Sequence, residues 1–179
     1  MALTAEAIQE AENNEALIDL LSAELQRLLP EEVQENRDLY HEKITSLPRG
    51  LRAMAGMHFF DVSMAMDDLA WHFGNQNDER DLRETLSGLR ELELTEIASC
   101  FEKMWEYMKP YMTALQTGDY SGKDFPDWLE SIGAQQVADP MNDIVWDYCK
   151  KAGALGLLES WPPYARKYPE RCLATETQA

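Results

Sequence analysis

The sequence has few of the features that mark catalytic or membrane proteins. It contains three cysteines, Cys100, Cys149 and Cys172, and no C-x-x-C pair, so neither a zinc knuckle nor a dithiol redox motif is indicated. No apolar run approaches the ~20 residues of a membrane-spanning helix, and the N-terminus does not resemble a signal peptide. Phosphate-binding glycine motifs and the G-x-S-x-G motif of hydrolases are also missing. We therefore expect a soluble, cytoplasmic protein that needs no cofactor.

Basic residues are scarce relative to acidic ones. The 179 residues include 16 lysines and arginines against 33 aspartates and glutamates, which gives a formal charge of −17. Such a surface repels phosphate backbones and anionic membranes, so we expect neither direct nucleic-acid binding nor membrane binding. The partner that this charge favours is a basic protein. The excess of acids is uneven, because residues 119–147 carry seven acids and one base.

Strand-like alternation is nearly absent, and helical periodicity runs through most of the chain. We predict an all-α fold, with residues 1–179 forming one acidic domain of about seven to nine helices in an orthogonal or irregular bundle. N-terminal helices would occupy 1–46, a helical core 47–171, and a frayed tail 172–179. The predicted helical segments are 5–28, 30–47, 49–60, 61–73, 78–92, 96–115, 126–132, 140–151 and 155–170, with breaks at Pro110 and at Trp161-Pro162-Pro163. A bend or fraying at Asn13-Asn14 and a break before Asp38 are left open.

The stretch MHFFDVSMAMDDLAWHFG, residues 57–74, concentrates the side chains that could carry chemistry. If residues 61–73 form one helix, its period of 3.6 predicts a buried stripe of Val62, Met66, Leu69 and Phe73. The neighbouring stripe then contains Asp61, Ala65, Asp68 and His72. Because Asp68 and His72 are one turn apart, we interpret that stripe as a solvated face carrying a local Asp–His pair. His58 is expected to be a buried histidine bonded to a backbone carbonyl.

The alternative interpretation of this stretch is a metal-dependent helical enzyme centred on His58, Asp68 and His72. A zinc site would need further ligands of matching type. Neither H-E-x-x-H nor the paired Glu-x-x-His motifs of di-iron bundles occur in the chain. We therefore predict neither catalytic residues nor a metal site.

Methionine is common in the same region, at positions 54, 57, 64, 66 and 104. Such residues are either core filler or a soft patch that accepts partners. Core filler is the more frequent role, and the sequence favours it.

Acidic side chains follow one another along NDERDLRETLSGLRELELTE, residues 77–96. Carboxylates three or four residues apart on a helix lie roughly 5–6 Å from one another. That spacing is on a scale comparable with the phosphates of DNA. The candidate partner-binding surface is formed by Asp67, Asp68, Asp78, Glu79, Asp81, Glu84, Glu91, Glu93 and Glu96. On charge alone, a surface that only keeps the protein soluble is the simpler interpretation.

Two runs, LPRGLRAMAGMHFFDVSMAMDDLAWHFGN and ETLSGLRELELTEIASCFEKMWEYM, resemble a bacterial helical domain of otherwise unknown function, whose named representative is a DNA-mimic protein that binds a transcription factor. The resemblance covers residues 47–171. A glycine-rich turn of the family is replaced here by Met64-Ala65-Met66-Asp67-Asp68. The resemblance implies an all-α fold, a basic protein partner and the option of a homodimer, and it implies no catalytic residues. The matching features are Leu47-Pro48, Trp71, Phe73, Asn75, Leu86 to Leu94, Ala98, Phe101 and the closing segment Tyr164 to Glu170.

Together these patterns predict a non-enzymatic acidic protein-interaction domain. It would act as a DNA mimic that binds a basic DNA-binding protein, such as a transcription factor or a nuclease, and blocks its contact with DNA. An immunity-type protein that neutralises a basic toxin or nuclease would need the same charge, so the sequence leaves that alternative open. The metal-dependent enzyme and a structural subunit whose charge has no specific role are the remaining alternatives.

Overall fold

The computed structural model describes residues 3–153 and 156–174, and within these ranges the regular secondary structure is helical throughout. The all-α prediction is therefore confirmed. The N-terminal region divides into more helices than the periodicity suggested, because asparagines interrupt it. Asn13 and Asn36 each accept a hydrogen bond from the backbone N–H three residues later, as N-caps do. The four helices are α1 (Ala5–Glu10), α2 (Asn14–Leu28), α3 (Glu31–Gln34) and α4 (Arg37–Ser46).

The next two helices are α5 (Arg49–Met66) and α6 (Leu69–Asn75). The predicted boundary at 60–61 is wrong, since α5 continues for a further six residues. The break falls at Asp67 and Asp68, where the Asp68 carboxylate accepts a hydrogen bond from Trp71 N and caps α6. This shift of the break changes which side chains the two helices bury.

Helices α7 (Glu79–Glu91) and α8 (Thr95–Met108) follow, and α7 buries the predicted stripe of Leu82, Leu86 and Leu89. The longest side-by-side packing in the molecule is between α5 and α7. It depends on glycine, because a Cβ on Gly56 would lie 2.7 Å from Glu84 O, and one on Gly88 would lie 2.5 Å from Ala53 O. The two backbones therefore approach more closely than larger residues would allow.

The predicted break at Pro110 is confirmed, because α8 ends at Met108 and a 3-10 turn at Lys109–Tyr111 contains the proline. The chain continues as α9 (Met112–Thr117). Helices α10 (Phe125–Ser131) and α11 (Ala134–Ala152) follow. A 3-10 turn at Gly156–Ser160 leads into α12 (Trp161–Lys167), whose first turn holds both prolines. Another short turn spans Pro169–Arg171.

Residues 175–179 of the predicted tail lie outside the described residues, but Cys172 is fully buried against the body. The predicted tail boundary is therefore wrong at that residue. No described helix is both long and apolar enough to cross a membrane.

The core is assembled from all parts of the chain. Four of the five methionines named above are buried in it, as expected of core filler, whereas Met66 is 78% exposed. At its centre, the rings of Phe60 and Phe73 each lie 5.3 Å from the ring of Phe101. These aromatic contacts fix α5, α6 and α8 around the residues that the sequence had singled out.

Candidate functional site

His72 lies inside the core, not on a solvated face. Its Nδ1 is 2.9 Å from Ser63 Oγ, and the serine hydroxyl donates in turn to Phe59 O at 2.9 Å. Because that hydroxyl proton is already committed, Nδ1 carries the imidazole proton and donates it to Ser63. Nε2 has no hydrogen-bond partner among the described residues. The expectation of a wet Asp68–His72 pair is therefore wrong.

The surroundings of His72 keep it neutral. The rings of Phe60 and Phe101 meet it edge-on at 5.2 and 5.5 Å, and the side chain is fully buried. Loss of hydration lowers the pKa of His72 to about 3. This histidine therefore serves the packing of the core and cannot exchange protons with a substrate at neutral pH.

His58 and the other members of the stretch are also displaced from their predicted environments. His58 is exposed, which reverses the prediction that it is buried. Val62 and Met66 are exposed as well, because they belong to α5 and do not share a face with Leu69 and Phe73 of α6. The helix break at residues 67–68 is the physical reason for the corrections to Val62, Met66 and His72.

Within the described residues, His58, Asp68 and His72 do not converge on one point. The three-ligand group that the described residues do form is His41, Asp78 and Asp81, whose ligand atoms lie within 4.8 Å of one another. Arginines already neutralise that group, since Arg37 Nη2 lies 2.5 Å from Asp81 and Arg80 Nη2 lies 2.8 Å from Asp78. We interpret the group as an ion-pair network that joins α4 to the start of α7.

Asp78 illustrates how firmly this network is built. Its carboxylate caps α7 through Arg80 N and accepts side-chain hydrogen bonds from the same arginine. These contacts lower the pKa of Asp78 to about 2, with Arg37 adding to the effect. His41 Nε2 lies 3.0 Å from Asp81 Oδ1, although not in hydrogen-bonding geometry.

The remaining acids of α7 also face bases within the protein. Glu84 accepts two hydrogen bonds from Arg52, from Nε at 2.7 Å and from Nη2 at 2.6 Å. Glu91 pairs with Arg49 and with Arg171, whose Nη1 lies 2.9 Å away, and accepts the hydroxyl of Tyr164. The cleft of about 450 Å³ between α5 and α7 is lined by these compensated charges.

Six of the nine predicted partner-binding acids are therefore in internal ion pairs: Asp78, Glu79, Asp81, Glu84, Glu91 and Glu93. Asp68 caps α6 and accepts a hydrogen bond from Gln135. Asp67 and Glu96 are exposed, and neither forms an ion pair. Asp78 and Glu79 pair with Arg80 and Arg83 of α7 itself. The bases that hold the other four acids come from α4, α5 and the C-terminal segment, so local sequence patterns do not show those pairs.

Unpaired acidic side chains gather instead on α10 and α11. Four carboxylates there are exposed and have no base partner among the described residues, and we call them the α10–α11 acidic face: Asp127, Glu130, Asp139 and Asp143. Asp127 and Glu130 are three residues apart on α10, and Asp139 and Asp143 are four apart on α11, so each pair lies on one side of its helix. The signal for this face in the sequence was the near absence of bases between residues 119 and 147.

A shallow pocket of about 350 Å³ joins the two halves of this face. Glu130 and Asp139 line it together with Trp71, Gln135 and Gln136. Trp71 is half-buried and stacks edge-on against Phe125 at 4.9 Å, so its ring is held in a fixed position. An aromatic face beside two carboxylates is an environment that suits a cationic side chain.

Comparison of the chain with protein-family models, with curated proteins and with solved structures found no match.

Proposed function

We propose that this protein is a non-enzymatic DNA mimic, which binds a basic DNA-binding protein through its acidic surface and blocks that partner's contact with DNA. The observation that carries the proposal is the α10–α11 acidic face, whose four carboxylates have no base partner among the described residues and two of which, Glu130 and Asp139, line a pocket with Trp71. Carboxylates that already hold an arginine would have to give it up before binding a partner. Those of the α10–α11 acidic face would not.

The arrangement of the face supports a mimic of phosphates. Glu130 of α10 and Asp139 of α11 line one pocket with Trp71, and Asp127 lines a second pocket with Glu130 and Lys123. Neighbours within each pair are roughly 5–6 Å apart, on a scale comparable with successive phosphates. Trp71 adds an apolar and aromatic anchor, which a row of charges alone would lack.

The expected mechanism is electrostatic steering followed by docking. The net charge of −17 attracts a basic surface, and salt screens this attraction. The association rate should therefore fall as ionic strength rises. Affinity then depends on the few side chains that lose their water at the centre of the contact.

The test is capture of partners from cell lysate on the immobilised protein at low salt, with stepwise elution by salt. We expect one stoichiometric DNA-binding protein to elute at moderate salt, and added duplex DNA to compete with its capture. A toxin or nuclease in that eluate, displaced by its own substrate, would instead assign the immunity-type function to the same surface.

A pair of variants with equal charge separates the site from the total charge. The first, Asp127→Asn, Glu130→Gln, Asp139→Asn and Asp143→Asn, removes the α10–α11 acidic face. The second neutralises four exposed acids elsewhere that also lack base partners: Glu10, Glu12, Glu35 and Glu42. Only the first should lose the partner. Equal losses, or a mixture of basic proteins on every column, would mean that the charge has no specific role.

A further inference from the structure

A second candidate binding surface, with a largely apolar lining, lies between α2 and α5. It is a groove of about 190 Å³, which we call the α2–α5 groove. Ser22, Gln26, Gln34 and His58 contribute its polar groups. The apolar and aromatic lining is formed by Leu25, Leu29, Tyr40, Ala55, Phe59 and Trp161. An apolar cleft with a few polar groups is the usual form of a binding site in proteins.

The groove continues into an exposed apolar stripe along α5. Phe59, which lines the groove, is 37% exposed, while Val62 is 39% and Met66 is 78% exposed. The three residues are spaced by three and four, so they lie on one side of α5. This spacing matches the anchors by which a helix is recognised along its apolar face.

One polar group in the wall of the groove lacks a partner. Trp161 is only 2% exposed, yet its indole Nε1 has no hydrogen-bond acceptor among the described residues. Buried N–H groups of tryptophan usually find an acceptor.

Charge indicates what kind of segment would lie here. Ser22 and Gln26 line the groove, and Glu15 and Asp19 continue the same stripe of α2 at spacings of four, three and four. Both acids are exposed and have no base partner. Asp67, equally unpaired, follows Met66 at the end of α5. Acids thus lie at the margins of an apolar surface.

We infer that the α2–α5 groove and the stripe of Phe59, Val62 and Met66 bind a basic amphipathic helix of the protein partner. This inference rests on the proposed function, for which it supplies apolar anchors. One large apolar side chain of the helix fills the groove, its next apolar residues lie along the stripe, and its lysines or arginines face Glu15, Asp19 and Asp67. A second copy of this chain is disfavoured as the occupant, because it would bring like charges together.

The probe that tests this is a synthetic helix of leucine and lysine, about 18 residues or 27 Å long. Two comparison peptides are used. One has the same composition, but its leucines are out of helical register. The other keeps the leucine pattern and has glutamate in place of lysine. Fluorescence anisotropy at physiological ionic strength measures the dissociation constant of each. We expect the first peptide to bind most tightly and the glutamate peptide not to bind.

The decisive variant is Val62→Ser with Met66→Ser, which should weaken the first peptide about tenfold. Its control is Leu20→Ser. Leu20 is also 39% exposed, and it lies 120° or more around α2 from Ser22 and Gln26. Both variants alter exposed residues, and circular dichroism should show unchanged helix content. The Leu20→Ser protein should bind like wild type.

Three outcomes would overturn the inference. Equal affinity for the two lysine peptides would mean that charge alone binds them. An unchanged affinity in the Val62→Ser, Met66→Ser protein would place the peptide elsewhere. A concentration-dependent dimer in sedimentation, abolished by the same substitutions, would show that a second copy covers this face. None of these depends on the α10–α11 acidic face, whose variant tests the proposed function separately.

Discussion

His72 Nδ1 donates a hydrogen bond to Ser63 Oγ across the break between α5 and α6. The bond joins the last turn of one helix to the middle of the next, and both groups are buried. The bond therefore links α5 to α6 across the two residues that separate them.

The neutral state of His72 makes stability depend on pH. In the unfolded chain it takes up a proton near its ordinary pKa of 6.5, whereas burial lowers the folded-state pKa to about 3. Below pH 6.5 the unfolded state binds the extra proton, so stability falls as pH falls, by about 1.4 kcal/mol per unit. Urea unfolding between pH 6.5 and 5.5, above the ordinary pKa values of aspartate and glutamate, measures this slope.

Replacing His72 with leucine should flatten that slope, because no proton is then taken up on unfolding in this range. His58→Leu, which removes an exposed histidine, is the comparison variant. A slope that survives in the His72→Leu protein would show that other groups produce it.

The cap of α6 gives a second prediction. Asp68→Ala removes the acceptor for Trp71 N and for Gln135 Nε2, and should lower the free energy of unfolding by about 1–2 kcal/mol. Asp68→Asn keeps a capping oxygen and should retain most of the stability. Asp67→Ala, at an exposed position, should stay within about 0.5 kcal/mol of wild type. Thermal or urea unfolding followed by circular dichroism orders the three.

Glu91 should matter for stability and not for partner binding. Glu91→Gln keeps the shape but leaves Arg49 and Arg171 without their carboxylate, and we expect a loss of about 1–3 kcal/mol. Glu42→Gln, at an exposed carboxylate without an ion pair, is the matched control and should be nearly neutral. If Glu91→Gln instead abolished partner capture in a protein that remains folded, the internal role of Glu91 would not be its main one.

The close packing of α5 on α7 predicts intolerance to a single methyl group. In Gly56→Ala the added Cβ meets Glu84 O, and the helices must separate. The better helix propensity of alanine offsets part of the cost, so we expect a net loss of about 1–3 kcal/mol. Ser87→Ala, on the exposed side of α7, should be neutral. A Gly56→Ala protein as stable as wild type would mean that the helices adjust freely.

The sequence predicted correctly those features that depend on residues close together in the chain, such as a buried helix face or a helix end. The leucine stripe of α7 follows from its period, and Pro110 ends α8 because proline lacks an N–H. The environment of His72 was misassigned because Asp68 caps a new helix, whereas the period was extended through it. His58 was assigned to the core because it shares a face of α5 with the buried Leu51, Met54 and Ala55, and the period alone does not show where a buried stripe ends. Once a break is misplaced, every residue beyond it is assigned to the wrong face.

The acidic surface was harder to foresee for a different reason. Whether a carboxylate is free depends on bases that reach it from elsewhere, as Arg52 reaches Glu84 and Lys167 reaches Glu93. Charge counts along the chain contain no such information. They pointed to α7, where most acids are satisfied, although the base-poor segment 119–147 was visible in the same counts.

The contact between α12 and the N-terminal helices has a consequence for how the chain is made. Arg166 donates to Asn14 Oδ1, and Gln9 donates to Arg166 O, across separations of 152 and 157 residues. At roughly 5–20 residues per second, synthesis reaches α12 on the order of 10 s after α2. During that interval the apolar sides of α1 and α2 lack a surface on which they later pack, so chaperones on the ribosome would encounter them first.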